Sequence, residues 1–257
     1  MAGRQFLSNV TSDKMNKTID SIQDAVSDIT DNAVVMIGGF GGSGAPIELI
    51  HALVDRFVAT GSPGNLTVVN NNAGNGKIGI AAMINAGMVE KMICSFPRTS
   101  ESEAFTDRYL AGEIALELVP QGTLAERIRA AGAGIPAFYT PSSFGTELAA
   151  GKEVKEFEGK SYVMERWLKA DFALVKAEFG DLHGNLFYRM ASRNFNPLMC
   201  MAANKTIVQV SKIKAAGELD PENIHTPGIF VDCVVEVAAM QEEVLIRSGA
   251  AYATSHD

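Results

Sequence analysis

In DNAVVMIGGFGGSGAP, Asp31 to Pro46, a polar pair gives way to five apolar residues, Ala33 to Ile37, and then to a loop in which five of the seven positions from Gly38 to Gly44 are glycine. An apolar run this short, closed by glycine, reads as a strand buried on both faces of a parallel sheet. Pro46 is the preferred first residue of a helix, and Ile47 to Phe57 carries helical periodicity. The order is strand, glycine loop, helix. A loop with so few side chains lets backbone N–H groups approach a ligand closely, and the helix behind it adds the positive end of its dipole. The ligand expected there is an anion.

Gly39 to Gly44 also satisfies G-x-G-x-x-G, a dinucleotide-binding pattern that needs an acidic residue at the end of the next strand to hold a ribose. The next strand, Leu66 to Val69, ends in Asn70-Asn71-Asn72, so a nicotinamide cofactor is not expected. The whole segment resembles instead the signature of family I CoA transferases: an Asp-Asn pair, a strand, Gly-Gly-Phe, three residues, Gly, one residue, Pro. Every position is met, from Asp31 through Gly38-Gly39-Phe40 and Gly44 to Pro46. The resemblance implies that Gly38, Gly39, Phe40, Gly41, Gly42 and Gly44 face an acyl-CoA thioester.

Composition sets the outer bounds. A chain of 257 residues, 47% hydrophobic, with alternating strand and helix signals, suits one α/β domain. Lys+Arg 22 against Asp+Glu 30 gives a net charge of −8. An acidic chain without a basic run is a poor partner for nucleic acid, so local backbone dipoles must meet the anion. Cys94, Cys200 and Cys233 are odd in number and widely spaced, as expected of reduced thiols in the cytoplasm. No apolar run has membrane-spanning length, and no secretory signal is recognisable. Residues 1–14 read as a flexible leader, 15–245 as the domain and 246–257 as a flexible tail.

Further along, Ser21 to Ile29 and Ile47 to Ala59 read as helices, with His51 as a solvated or core-edge residue. After Leu66–Val69 comes NNNAGNG, Asn70 to Gly76, which should lie beside the glycine loop at the carboxyl edge of the sheet. The resemblance extends to Asn71 and Asn72 as ligand contacts, while Asn70 and Asn75 suit a flexible turn. Met88 to Ser95 reads as a strand, Glu101 to Ala111 as a helix and Ala115 to Val119 as a strand ending in Pro120-Gln121-Gly122. Thr123 and Glu126 match a capping box opening the next helix, which puts Gln121 between a strand end and a helix start. A neutral amide there either caps the turn or donates to an oxyanion without adding charge. Val119 to Pro141 resembles the same family, in which the Gln of Pro-Gln-Gly lies at the active site. The family's usual Thr-Gly-aromatic-Gly-Thr is replaced by Ser142-Ser143-Phe144-Gly145-Thr146.

Glu153–Phe157 and Ser161–Met164, around Glu158-Gly159, read as a hairpin, an antiparallel excursion. Strands are expected at Asp171–Ala177, within Gly180–Arg189, at Thr206–Val210 and at Ile229–Val237. Asp181 and His183 lack a third candidate ligand, and no metal is expected. Gly184-Asn185, Ala191–Asn196 and Gly217–Glu222 resemble family segments. The resemblance covers Met15 to Val237 and implies a three-layer α/β/α fold with a mainly parallel sheet of six or seven strands.

Members of the family use a glutamate in a Ser-Glu-Asn-Gly setting, which takes the acyl group and then CoA. This chain has no such motif. Its nearest approach, Ser100 to Glu103, falls on a predicted exposed helix. The implied role is therefore that of the A subunit, supplying the glycine loop and Gln121 to a partner B subunit in a heterodimer or heterotetramer. The implied reaction moves CoA from succinyl-CoA to a 3-oxo acid, with 3-oxoadipate favoured over acetoacetate, and needs no cofactor beyond the CoA thioester itself. A non-catalytic ligand-binding protein of the same fold is the alternative.

Overall fold

The computed structural model describes residues 16–98 and 102–241, so the expected leader and tail lie outside the described residues. Its strands begin with β1 (Thr18–Ile19), β2 (Val34–Ile37), β3 (Leu66–Val69), β4 (Val89–Cys94), β5 (Ala115–Leu118) and β6 (Ala137–Thr140). They continue with β7 (Val154–Phe157), β8 (Lys160–Arg166), β9 (Ala170–Asp181), β10 (Leu186–Phe187), β11 (Ala203–Lys214) and β12 (Cys233–Glu236). The helices are α1 (Ile22–Ala25), α2 (Ile47–Thr60), α3 (Ile80–Ala86), α4 (Glu103–Leu110), α5 (Gln121–Gly132) and α6 (Asn196–Ala202).

Apolar runs with side chains alternating between two faces make the centre. Val35 and Ile37 enter one core with Val26, Leu49, Ile84 and Phe105 from α1 to α4 and their flanks, while Met36 enters the other with Leu124, Ile128 and Met199 from α5 and α6. The main sheet runs β1-β12-β11-β9-β2-β3-β4-β5, parallel at every step along this order, with β10 antiparallel on β9. This is the three-layer α/β/α architecture the sequence implies, with nine strands instead of six or seven. Two of them, β1 and β10, are two residues long and carry no readable period.

The chain grows outward from β2 through β3 and β4 to β5, and from β9 the other way through β11 to β12. The reversal falls between β2 and β9, where a parallel sheet opens a crevice at its carboxyl edge. The strand order therefore places the glycine loop at the switch point. Strands β6-β8-β7 form a separate antiparallel sheet, the expected excursion. Glu158 and Gly159, at φ +51° and +72°, make its two-residue turn.

Several boundaries differ from expectation. The first helix stops at Ala25, and Val26 and Ile29 reach the core from the turn beyond it. Helix α4 begins at Glu103, and Ser102 before it is buried instead of exposed; Ser100 and Glu101 lie outside the described residues. Pro46 is the cap before α2 instead of its first residue. Gly228–Phe230 is a 3-10 turn, so β12 starts only at Cys233.

Two histidines are held neutral by the fold. His225 Nδ1 accepts from Tyr188 N–H at 3.0 Å, and the ring stacks between Phe187 and Tyr188. Burial, and then Arg193, lowers its pKa from 6.5. His51 Nε2 accepts from Gly79 N–H at 3.1 Å, and burial outweighs Asp55 and Glu48 to lower its pKa as well. A histidine whose folded pKa is depressed contributes stability above the unfolded value, and that stability is lost as pH falls through the folded value. The melting temperature should therefore decline as pH drops below about 6.5. His225→Gln, which keeps an acceptor without a titrating ring, should show a shallower decline in a pH series of thermal melts, and an unchanged slope would count against this assignment.

Candidate active site

Four loops leave the carboxyl ends of β2, β3, β4 and β5 side by side. After β2, Phe40 and Ser43 exchange two backbone hydrogen bonds of 3.0 Å across Gly41 and Gly42, which sit at φ +60° and +86°. The loop is thus a tight two-residue turn whose φ values favour glycine. Among the described residues, no protein acceptor meets the N–H groups of Gly39, Gly41 and Gly42.

After β3, the three asparagines divide their work. Asn70 Nδ2 donates to Ile37 O at 2.6 Å and its Oδ1 accepts from Asn72 N–H at 2.9 Å, which ties this loop to the glycine loop as expected. Asn70 and Asn75 are each 3% exposed, so the expected flexible turn is corrected to a buried, bonded one. Asn72 Oδ1 accepts from Gly74 N–H at 2.8 Å. Asn71 Oδ1 accepts twice, from Ser95 Oγ at 2.8 Å and from Gln121 Nε2 at 2.9 Å.

That last contact joins residues fifty positions apart in the sequence. Gln121 is exposed and is the first residue of α5, after the N-cap Pro120. Its side chain does not cap the turn but reaches across to Asn71. The expected capping box is corrected: Thr123 lies inside the helix, and its buried Oγ1 has no partner among the described residues. The helix is braced from behind by Glu117. Burial works against that charge, but Lys91 at 2.6 Å and Arg127 at 2.8 Å hold its carboxyl below 4.5.

The resulting crevice is lined by Gly39, Phe40, Gly42, Asn70 and Asn72 with apolar Ile47 behind them, and none of these is charged. It offers neutral donors to a developing oxyanion. The glycines have different reasons to be glycine. A Cβ at Gly38 would lie 1.7 Å from Asn196 Oδ1, and one at Gly44 would lie 2.7 Å from Ser192 O, whereas one at Gly41 meets nothing within 4 Å. Gly38 and Gly44 are thus explained by packing, and Gly39, whose added Cβ would lie 3.1 Å from Ala45, is tight as well, which leaves Gly41 at the open tip of the loop.

A wider groove between α1, α2 and β12 carries the carboxylates of Asp20, Glu48, Asp55 and Glu236, which would repel an anion. Burial pushes the thiols up to about 12 at Cys94 and Cys200 and about 11 at Cys233, so at neutral pH they are not thiolate nucleophiles. The Asp181 carboxylate is occupied by the N–H groups of His183 and Asn185 and by the Asn185 amide. Among the described residues no His, Cys, Asp and Glu cluster is arranged to hold a metal, and no helix is long and apolar enough to cross a membrane. Ser95, Asn194 and Asn196 enter the site only in the structure; the sequence marks no more than the segments that contain them.

A family model described as Coenzyme A transferase matches residues 19–237. The chain is 56% identical over 224 residues to the A subunit of the 3-oxoadipate CoA-transferase of Pseudomonas putida, covering 87% of this chain and 95% of that one. It is 45% identical over 234 residues to a protein from Bacillus subtilis described as the A subunit of a probable succinyl-CoA:3-ketoacid coenzyme A transferase, covering 91% and 95%. A solved acyl-CoA transferase from E. coli O157:H7, in a thioester complex with CoA, aligns at 22% identity with a TM-score of 0.77, over 90% of this chain and 49% of that one. At that identity the likeness speaks for the fold, and this chain spans about half of the solved one.

The two kinds of glycine should separate in a stability measurement. Gly41→Ala places a side chain in open space at a left-handed φ and should cost about 1 kcal/mol. Gly38→Ala forces Asn196 aside and should cost about 3 kcal/mol or more in denaturant unfolding. Equal losses would mean that Asn196 yields freely.

Proposed function

Because the chain belongs to the coenzyme A transferase family, we propose that it is the A subunit of an enzyme moving CoA from succinyl-CoA to a 3-oxo acid, with 3-oxoadipate the favoured acceptor. The observation that carries this reading is the bond between Gln121 and Asn71, the latter lying between Asn70 and Asn72, which line the crevice of the glycine loop. It supports a neutral amide donor, Gln121, steadied by Asn71 at the carboxyl edge of the sheet. The 56% identity to the A subunit of a 3-oxoadipate CoA-transferase supports the acceptor, and the buried, unpaired thiols fit a cytoplasmic setting.

In this mechanism a partner B subunit supplies a glutamate carboxylate, which attacks the thioester carbonyl of succinyl-CoA; the C–S bond breaks and CoA leaves as thiolate. The thiolate then attacks the glutamyl carbonyl of the mixed anhydride, and succinate departs. A 3-oxo acid reverses the sequence: its carboxylate displaces CoA from the glutamyl thioester, and the thiolate returns to the new acyl group. At each attack negative charge develops on a carbonyl oxygen. Gln121 and the N–H groups of Gly39, Gly41 and Gly42 stabilise that charge more than they stabilise the ground-state carbonyl. Being neutral, they leave the attacking carboxylate unpaired and nucleophilic. Asn71 holds the Gln121 amide in place, and Phe40, half-exposed at the turn, covers the acyl group. The second reading, with acetoacetate as acceptor, is favoured by the Bacillus subtilis relative.

Assays of thioester exchange with and without the B subunit, run in parallel on 3-oxoadipate and acetoacetate, test the assignment. The chain alone should be inactive, the assembled complex active, and kcat/KM higher for 3-oxoadipate. Turnover by the isolated chain would refute the partnered role, and an inactive complex would favour a ligand-binding protein. Gln121→Ala should lower kcat roughly a hundredfold, the usual effect of removing one oxyanion donor, with assembly and melting temperature unchanged. An early-melting variant whose folded fraction turns over normally would make Gln121 a structural residue.

A further inference from the structure

The segment from Met190 to Asn196, which the transfer chemistry above does not use, grips the glycine loop from behind. Asn194 Nδ2 donates to Ser43 O at 3.0 Å, adding to the bond that this oxygen accepts from Phe40 N–H, and to Ala191 O at 2.7 Å. Asn196 Nδ2 donates to Gly44 O at 3.1 Å and to Ser192 O at 2.7 Å. Asn196 is fully buried, and its Oδ1, pressed against Gly38, has no hydrogen-bond partner among the described residues. An orphaned buried carbonyl is unfavourable, and an apolar residue of the same shape would avoid it. The amide is therefore explained by what its nitrogen does. The segment is also strained, since Met190 sits at φ +47°, a left-handed value that non-glycine residues hold only where the surroundings enforce it.

The geometric consequence follows from the planarity of the peptide unit. Drawing Ser43 O and Gly44 O toward the two asparagines turns the N–H groups of Gly44 and Ala45 the opposite way. Ala45, which carries one of these N–H groups, lines the crevice with Gly39 and Ile47 at the start of α2, where the helix dipole is positive.

We propose that Asn194 and Asn196 are positioning residues for acyl transfer. They fix two consecutive peptide planes so that the loop donors already face the thioester carbonyl when substrate arrives. The proposal rests on the reading of the glycine loop and Gln121 as the acyl-transfer site.

Asn194→Asp, in the complex with the B subunit, is the test. It keeps the shape of the side chain and the Oδ1 that accepts from Phe195 N–H at 2.7 Å, but it has no donor for Ser43 O or for Ala191 O, to which Asn194 Nδ2 also donates at 2.7 Å. Turnover of succinyl-CoA is measured per active site, with sites counted by the burst of enzyme-bound thioester, so that loss of folded protein does not lower the reading. Expected is an approximately tenfold fall in kcat per site, the order of effect of losing the hydrogen bond that reaches the glycine loop, with KM little changed. A normal kcat per site in Asn194→Asp overturns the proposal. Should that variant fail to fold, Asn194→Ala is read by the same criteria. Gln121→Ala tells the two failures apart: if it is slow while the Asn194 variants are normal, the clamp is wrong, and if it too is normal, the site reading itself has failed.

Discussion

A strand buried on both faces cannot end by turning its last polar groups to water; each must find a partner inside the protein. Asp171 Oδ2 accepts from Val34 N–H where β2 begins, and Asp232 Oδ2 accepts from Thr206 N–H within β11. At the other end of β2, the Asn70 amide donates to Ile37 O. This last bond governs the site. With Asn70 turned back onto β2 and onto Asn72, the loop after β3 is fixed against the glycine loop, and Asn71 between them is left to meet Ser95 and Gln121. The same requirement that closes the sheet positions the amides of the candidate site.

The site handles charge by having none of its own. The chain carries a net −8, yet the ligand of its family is anionic, and the crevice is lined by glycine, asparagine and apolar residues. A lysine or arginine there would hold the substrate more strongly but would also pair with an incoming carboxylate and blunt it as a nucleophile. Backbone N–H groups and primary amides favour a developing oxyanion without that penalty. The charged residues are kept to the back, where Lys91, Glu117 and Arg127 brace α5.

The strands beside the site were legible because short apolar runs closed by glycine or asparagine admit few alternatives, and β3 came out with the expected bounds. Helix starts were harder to read. Thr123 and Glu126 satisfy a capping pattern, but burial of Thr123 against the core extends the helix back to Gln121. Short elements such as α3 and β6 lack enough residues to show a period. Asn194 and Asn196 were invisible as contacts because their partners in the glycine loop lie 151 and 152 positions away. Only a family-like segment hinted at them. What local chemistry sets was therefore readable, and what long-range packing sets was not.

The turn at Gly41 and Gly42, closed by the paired bonds between Phe40 and Ser43, also bears on the thermodynamics of ligand capture. A glycine-rich loop is ordinarily the most disordered part of a chain, and ordering it on binding would subtract from affinity. Here folding has already removed that freedom. The entropy loss is charged to the stability of the domain, where two large cores absorb it, and not to the encounter with substrate. A weakly bound ligand can then be engaged and released quickly, without the turn having to order and disorder at each encounter.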